Sequence, residues 1–185
     1  MPAVPQTKAS WTNGVDALNS TNLNASLRDP LTFLMNRPAA RLVQTVAQSI
    51  PSGGTFTAVT FTTEVEDTDP DGIGGHSTVT NTSRYTCRYP GLYLLGGGVG
   101  FSQNVTNARG CAWLLNGAVV DGSDVMLMAV TVGATATRVP ARPWLMRLAE
   151  GDYVELGAFQ NSGGALATVA GGAAASSMSV AWMRL

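Results

Sequence analysis

RLAEGDYVELGAFQ, residues 147–160, is the stretch that decides the fold. A polar turn of Glu150, Gly151 and Asp152 separates an apolar run that ends at Leu148 from a second run that starts at Tyr153. Glycine in the middle of such a turn tolerates the positive φ that tight turns need. Turn residues between two runs of β-forming residues predict a corner between two β-strands.

The same pattern recurs along most of the chain. Leu115 is followed by Asn116 and Gly117, which is the signature of a two-residue hairpin turn. Short strands at regular spacing, with turn signals between them, predict an all-β sandwich or barrel. The predicted strands cover residues 55–62, 78–89, 91–104, 109–115, 125–132, 138–148, 153–160, 165–170 and 178–185.

Four short motifs carry a family resemblance. They are G-x-Y from Gly91, L-x-N-G from Leu114, L-x-x-G-D-x-V-x-L from Leu148 and S-S-x-S-V from Ser176. In this order and spacing the sequence resembles the tumour necrosis factor (TNF) and complement globular-head superfamily over residues 55–185. The resemblance implies a jelly-roll β-sandwich that assembles as a homotrimer, and it does not by itself imply an activity.

Composition agrees with a self-associating β-sandwich. Charged residues make up 12% of the chain, about half the usual share, and 21 of the 185 residues are glycine. Low charge suits a surface that is partly buried against copies of itself, because charged residues are depleted at interface cores. The net charge of −1 and the scattered arginines lack the basic stripe of a nucleic-acid partner.

The compartment is inferred from the N-terminal residues and from the length of the apolar runs. The chain starts MPAVPQ, without the basic and apolar regions of a signal peptide, and its apolar runs are far shorter than a membrane span. We therefore expect the product to accumulate in a cytoplasm, with no membrane partner. In that compartment Cys87 and Cys111 are expected to be buried thiols rather than a disulfide.

A short helical arm precedes the β-rich region. Leu23, Leu27, Leu31 and Leu34 recur at helical spacing within residues 19–36, and Ser20 or Thr21 can cap the helix. Pro30 predicts a kink that divides it into two pieces, with a stop at Arg37-Pro38. The predicted organisation is an arm over residues 1–40 and a jelly-roll head over residues 41–185.

The leucine stripe, defined as Leu23, Leu27, Leu31 and Leu34, requires a partner surface. One stripe on a short helix cannot bury itself, so it packs on its own sandwich, on a sister subunit or on another protein. An arm in front of a trimeric head is suited to be an anchor. We therefore assign the stripe, together with Trp11, as the candidate attachment face.

A second resemblance covers the opening of the chain. It rests on Trp11, residues 24–29, Phe33-Leu34, Arg37-Pro38 and the stretch from Phe61 through residues 64–69 to His76. These residues resemble the opening of small virion proteins of tailed bacteriophages, from which the chain departs at Pro30.

This resemblance implies a non-enzymatic structural protein on the virion exterior, made in the host bacterial cytoplasm and held by its N-terminal segment to other virion proteins. A minor tail protein that contacts host-surface glycan is preferred slightly over a capsid decoration protein or head fibre. A glycan- or cell-surface-binding TNF-like lectin module is an alternative.

An acidic loop is the candidate metal site. Asp67, Asp69 and Asp71 alternate as in the start of a calcium loop, and Gly72 follows at the sharp turn. Pro70 and the replacement of the expected glutamate by Thr78 exclude an EF-hand. A looser Ca²⁺ site and a solvated acidic loop both remain open, and no other cofactor is expected.

No catalytic constellation is visible. His76 is the only histidine, and no nucleophile elbow, zinc-binding helix, phosphate loop or dinucleotide fingerprint is present. The best available enzyme candidate is a glycan-degrading carboxylate pair of Asp67 and Asp69.

The aromatic side chains in the predicted strands, such as Trp113 and Trp182, are expected in the core rather than in a sugar-binding platform. The run from Gly96 to Gly100 predicts either a close approach between subunits or a local bulge.

Overall fold

The fold was analysed in a computed structural model that describes residues 4–12, 15–17, 19–129 and 135–185. The described strands are β1 Ala39–Val43, β2 Ser49–Ile50, β3 Thr57–Ala58, β4 Thr63–Thr68, β5 Arg84–Thr86, β6 Gly91–Phe101, β7 Ala108–Leu115, β8 Ala118–Val119, β9 Val125–Met128, β10 Thr137–Pro140, β11 Trp144–Leu148, β12 Tyr153–Gln160, β13 Leu166–Ala167 and β14 Ser177–Arg184.

Two antiparallel sheets form a sandwich. Sheet I has the order β10–β6–β14–β1–β4, and β11 also pairs with β6. Sheet II has the order β3–β12–β7–β8, with β5 on β12 and β9 on β7. A third, small pair joins β13 to β2. The predicted all-β sandwich is confirmed.

The core lies between the two sheets. Leu95 and Val180 from sheet I and Trp113 and Leu156 from sheet II belong to one buried cluster. Burial alternates along β6 from Tyr93 to Leu95, as expected for a strand with one face inward. The core also holds Cys87 and Cys111 as free thiols, which confirms that expectation. Burial raises the pKa of Cys87 to about 11 and that of Cys111 to about 12.

Both predicted turns are present. Asn116 and Gly117 have φ angles of 51° and 81°, which is the pair of positive values that a type I′ hairpin turn requires. Gly151 has a φ of 86° at the corner between β11 and β12. The strand after this corner, β12, has the bounds that the sequence predicts.

Several predicted strands are shorter in the structure. Residues 78–89 keep only β5, because the Ser77 hydroxyl accepts bonds from the backbone of Val79 and Thr80 and holds a local turn. Residues 138–148 divide into β10 and β11, and Pro143 in the gap has no N–H for a ladder. Residues 130–132 of another predicted strand lie outside the described residues.

The arm helix, residues 20–35, is built from three consecutive pieces. They are an α-helical turn Ser20–Leu23, a π-helical turn Asn24–Arg28 and an α-helix Asp29–Met35. The π turn ends two residues before Pro30, and its wider turn relieves the clash of the proline ring with the carbonyl four residues earlier. Asn19, rather than Ser20 or Thr21, caps the helix, because its side chain accepts a bond from Asn22 N at 2.8 Å.

The arm helix packs on the head through its C-terminal half. Phe33 is only 2% exposed, and its ring meets Trp182 edge to face at 4.8 Å and Tyr89 at 5.5 Å. The head's first strand begins at Ala39, two residues before the predicted boundary. Within the described residues, no helix has both the length and the apolar content for a bilayer crossing.

Candidate functional site

The outward side of sheet I is the first candidate surface. Leu145, Leu94, Ala181 and Ala39 lie opposite one another on β11, β6, β14 and β1 and form one row across the sheet. Leu145 is 59% exposed and Leu94 is 39% exposed. The outward face of an antiparallel sheet is usually polar, so this apolar row is an uncovered patch that requires an explanation.

A shallow apolar hollow lies beside this row. It measures about 300 Å³, and its lining includes Leu94, Gly96, Pro143 and Ser179. A Cβ atom built on Gly96 would have no neighbour within 4 Å, so the floor of the hollow is open. The hollow is therefore able to receive a side chain from another molecule.

The glycine run has two different roles. Cβ atoms on Gly97, Gly98 and Gly100 would collide with the backbone of Ser177, Val139 and Ala174. These three glycines are needed within the chain, where strands and loops of sheet I approach closely. Gly96 alone faces open space, and it is the only member of the run that leaves room for a close approach by another subunit.

The leucine stripe is the second candidate surface. Leu23, Leu27, Leu31 and Leu34 are between 38% and 57% exposed, whereas Pro30 and Phe33 on the same helix are buried. The arm helix therefore contacts its own head through Pro30 and Phe33 and leaves the leucines open. The leucine stripe therefore does not pack on its own sandwich, and a sister subunit or another protein remains as its partner.

The two surfaces are connected by a groove of about 510 Å³. Leu34 and Met35 from the end of the arm helix line one side of the groove, and Ala39 and Ala181 from sheet I line the other. Glu66 also lines it. The leucine stripe and the outward face of sheet I are therefore neighbouring parts of one side of the molecule.

Trp11 lies in the lead that precedes the arm helix. Its side chain is 40% exposed, and the ammonium of Lys8 lies 4.9 Å from the centre of its ring. Lys8 also forms an ion pair with Asp16. These contacts leave one part of the ring accessible, and the attachment role of Trp11 stays a prediction.

The acidic loop is held by internal donors. Asp67 accepts bonds from the backbone N–H groups of Gly75 and His76 at 3.0 and 2.9 Å. Arg88 bonds to Asp69 and grips both oxygens of Asp71 at 2.6 Å. Arg88 lies three residues before β6, so its bonds connect the loop to sheet I, and each of the three aspartates has a structural role.

Charge in the loop follows from these contacts. The Arg88 guanidinium holds the pKa of Asp71 well below its usual range, and burial raises the pKa of Asp67. Within the described ranges, no three His, Cys, Asp or Glu side chains are grouped to hold a metal ion. A cation at Asp69 and Asp71 would have to displace Arg88, so the Ca²⁺ site stays a prediction that the geometry disfavours.

The candidate catalytic residues Asp67, Asp69 and His76 are also engaged in internal contacts. Asp67 and Asp69 are both engaged by backbone or arginine donors, which leaves the pair poorly placed for acid–base work on a glycan. His76 is buried, with Nδ1 at 2.8 Å from Glu64 and Nε2 at 3.1 Å from the Thr82 carbonyl. Both ring nitrogens therefore already have a hydrogen-bond partner.

The aromatic side chains serve the core. Trp113 and Tyr93 are fully buried, and Trp182 is 7% exposed. The Trp113 indole donates to the Arg142 carbonyl at 2.8 Å, and the Trp182 indole donates to the Pro90 carbonyl. The core role predicted for Trp113 and Trp182 is confirmed, and the three buried side chains cannot form a sugar platform.

Sequence reasoning missed the outward residues of sheet I. Residues 92–95 are apolar at every position, so alternation cannot indicate which side faces solvent. The available signal was this continuous apolar run itself, which is typical of a strand covered on both faces. Arg88 was also missed, because its pairing with the acidic loop joins residues 17 or more positions apart.

Comparisons with known proteins define the fold. No protein-family model and no curated protein matches the sequence. The globular domain of zebrafish complement 1qA protein matches with a TM-score of 0.51 and 14% identity, over 80% of this chain and 100% of that one. Murine APRIL at pH 5.0 matches with a TM-score of 0.57 and 13% identity, over 79% and 98%. Eiger TNF from S. frugiperda matches with 0.51 and 12%, over 80% and 94%.

These similarities show a TNF- and C1q-like jelly-roll fold, which confirms the predicted fold class. At 12–14% identity they concern the fold alone. They lend no support to the bacteriophage resemblance, which rests on the residues at the opening of the chain.

Proposed function

We propose that this chain is a non-enzymatic display module, in which three jelly-roll heads associate and the arm helices attach the trimer to a larger assembly. The outward face of sheet I is the observation that carries the proposal. Leu94 and Leu145 are exposed there beside an open apolar hollow. Uncovered apolar patches of this kind mark interaction sites in soluble proteins.

Association in threes is supported by the fold and by the low charge of the chain. The TNF-like and C1q-like motifs imply a trimer, and a standard stable interface removes about 1,600 Å² from water. Apolar burial contributes roughly 25 cal/mol per Å² before the costs of association. Interfaces of that size are enough to hold subunits together without covalent links.

The arm supplies the attachment. The leucine stripe stays open while Phe33 and Pro30 fix the arm helix to the head, so a trimer presents three stripes in fixed positions. Three weak contacts to a symmetric support act together, because linked sites raise the effective concentration of one another. Trp11 in the lead adds a further apolar contact to the same support.

The support that we propose is a tailed bacteriophage particle, with the head displayed on its exterior. The residues at the opening of the chain, from Trp11 to His76, support this location by their resemblance to small virion proteins. A minor tail protein implies few copies and contact with host-surface glycan, and a capsid decoration protein implies many copies. Imaging of intact particles with labelled chain tests the location and counts the copies.

A pair of glycine substitutions tests the role of sheet I. Gly96→Gln places a side chain in the open hollow, where it meets nothing within its own chain. Gly164→Gln is the matched control, because a Cβ there also meets nothing within 4 Å and the residue lies outside sheet I. We expect Gly96→Gln to shift the mass towards the monomer while Gly164→Gln leaves it unchanged. Unchanged association of a folded Gly96→Gln protein would contradict the proposal.

A further inference from the structure

Opposite charges lie at the two edges of sheet I. Glu66 is exposed on β4, which forms one edge. Arg147 is exposed on β11, which pairs with β6 at the other edge. The β-ladder holds both residues in place, so their positions are fixed by the fold rather than by a loop.

Neither charge has a partner in the part of the chain that the structure describes. Among residues 4–12, 15–17, 19–129 and 135–185, Glu66 and Arg147 take part in no ion pair or side-chain hydrogen bond. Arg41 lies opposite Glu66 on β1, yet no ion pair joins the two side chains. In a chain with only 12% charged residues, unpaired charges bordering an apolar face are suited to select a partner.

An apolar knob and an apolar hollow accompany these charges. The register between β1 and β4 shifts at a bulge, which leaves Val65 next to Glu66 and 54% exposed. The hollow of about 300 Å³ lies at the opposite edge, where Leu94 pairs with Leu145 of β11. Arg147 lies opposite Leu92, four residues or about 13 Å along β6 from Gly96, a separation that the long side chains of an arginine and a facing glutamate can span. Val65 and Glu66 at the β4 edge thus complement the hollow and Arg147 near the β11 edge in shape and in charge.

We infer that a second copy of this chain occupies the hollow, with its Val65 inserted over Gly96 and its Glu66 carboxylate paired with Arg147. This inference rests on the proposed self-association and specifies which edges meet. Contact between unlike edges is heterologous, and its repetition closes a ring when the rotation between neighbouring copies is a whole fraction of a turn. Contact between two β4 edges would instead bring Glu66 against Glu66, which is unfavourable.

Charge reversal tests the pairing. Glu66→Arg and Arg147→Glu are each expected to raise the dissociation constant of the assembly by about tenfold or more, because each brings like charges together. The double variant exchanges the two charges and is expected to return the constant to near that of the wild type. Asp121→Arg, an exposed reversal near sheet II, is the control and is expected to have no effect. Sedimentation at several concentrations gives the constants, and circular dichroism confirms that each variant is folded.

The outcomes separate this inference from the function on which it depends. If the wild type associates and the single reversals associate equally well, the edge pairing is wrong and the display function is unaffected. If both single reversals weaken association and the double variant does not recover, the two residues do not face each other and the pairing is again wrong. If the wild type is monomeric, both the pairing and the proposed self-association are wrong.

Discussion

The side-chain amide of Asn116 donates a hydrogen bond to Asp152 Oδ1 at 2.9 Å and joins the β7–β8 hairpin to the β11–β12 corner. Asn116 Oδ1 also accepts a bond from the backbone of Tyr153 at 2.9 Å. Asp152 Oδ2 in turn accepts from Ala149 N at 2.8 Å and closes its own turn. The two motifs that carry most of the family resemblance are therefore physically connected at one end of sheet II.

The contact between Asn116 and Asp152 predicts a specific loss of stability. Asn116→Gly retains the positive φ but removes both side-chain bonds, so we expect the free energy of unfolding to fall by about 1–2 kcal/mol. Chemical denaturation measures the change. Asp152→Ala in the Asn116→Gly background should cost less than it costs in the wild type. Equal costs in the two backgrounds would show that the residues are not coupled.

Asp71 predicts a pH dependence of stability. Its hydrogen bonds with Arg88 lower its pKa in the folded state, so its stabilisation is complete above the ordinary aspartate pKa of about 3.9 and is lost as the pH falls further. The stability difference between the wild type and Asp71→Asn should therefore be largest near neutral pH, at about 1 kcal/mol or less because the pair is exposed to solvent. Asp67 is present in both proteins, so its contribution to the pH dependence of stability cancels in the comparison. A difference that grows towards acid pH would contradict the assigned contact.

Calcium should have no effect on the stability of the acidic loop. Arg88 occupies Asp69 and Asp71, and backbone donors occupy Asp67, so a cation finds no free set of oxygens. We expect the thermal midpoint to be equal in millimolar calcium and in chelator, with magnesium as the control. A ligand that binds the folded state raises the midpoint by mass action, so a calcium-specific rise would restore the metal site.

The leucine stripe predicts a defect in attachment without a defect in folding. Leu27→Asp combined with Leu31→Asp changes two exposed side chains and leaves Phe33 packed on Trp182. We expect a folded protein with the mass of the wild-type assembly that is absent from purified particles, as measured by quantitative mass spectrometry. Val105→Asp, at an exposed valine outside the arm, is the control. Normal incorporation of the leucine variant would contradict the attachment role.

The sequence predicts best where turn chemistry and β-forming runs agree. The strand β12 has its predicted bounds because Gly151 marks its start and its residues are rich in β-formers. The sequence does not predict β1, because apolar and charged residues are mixed in it. It does not predict β4, because most of its residues are polar and, as an edge strand, it pairs with a neighbouring strand on one side only. The arm helix was predicted, but its π turn depends on how the helix accommodates Pro30.

For the candidate sites too, local features could be predicted from the sequence, and features that depend on tertiary contacts could not. The leucine stripe is visible from spacing alone, because helical periodicity is a local property. The internal partners of Asp67, Asp69 and Asp71 are not visible, because Arg88 becomes their neighbour only after folding. The outward face of sheet I was hidden by an apolar run whose two sides look alike in the sequence.

The mass of the full chain in solution tests the central claim most directly. Sedimentation equilibrium at micromolar concentration should give three times the 19.2 kDa of one chain, because the proposed association buries the outward face of sheet I, which is exposed in the single chain. A mass of 19.2 kDa under those conditions, for a protein with the circular dichroism of a folded β-sandwich, would contradict the account.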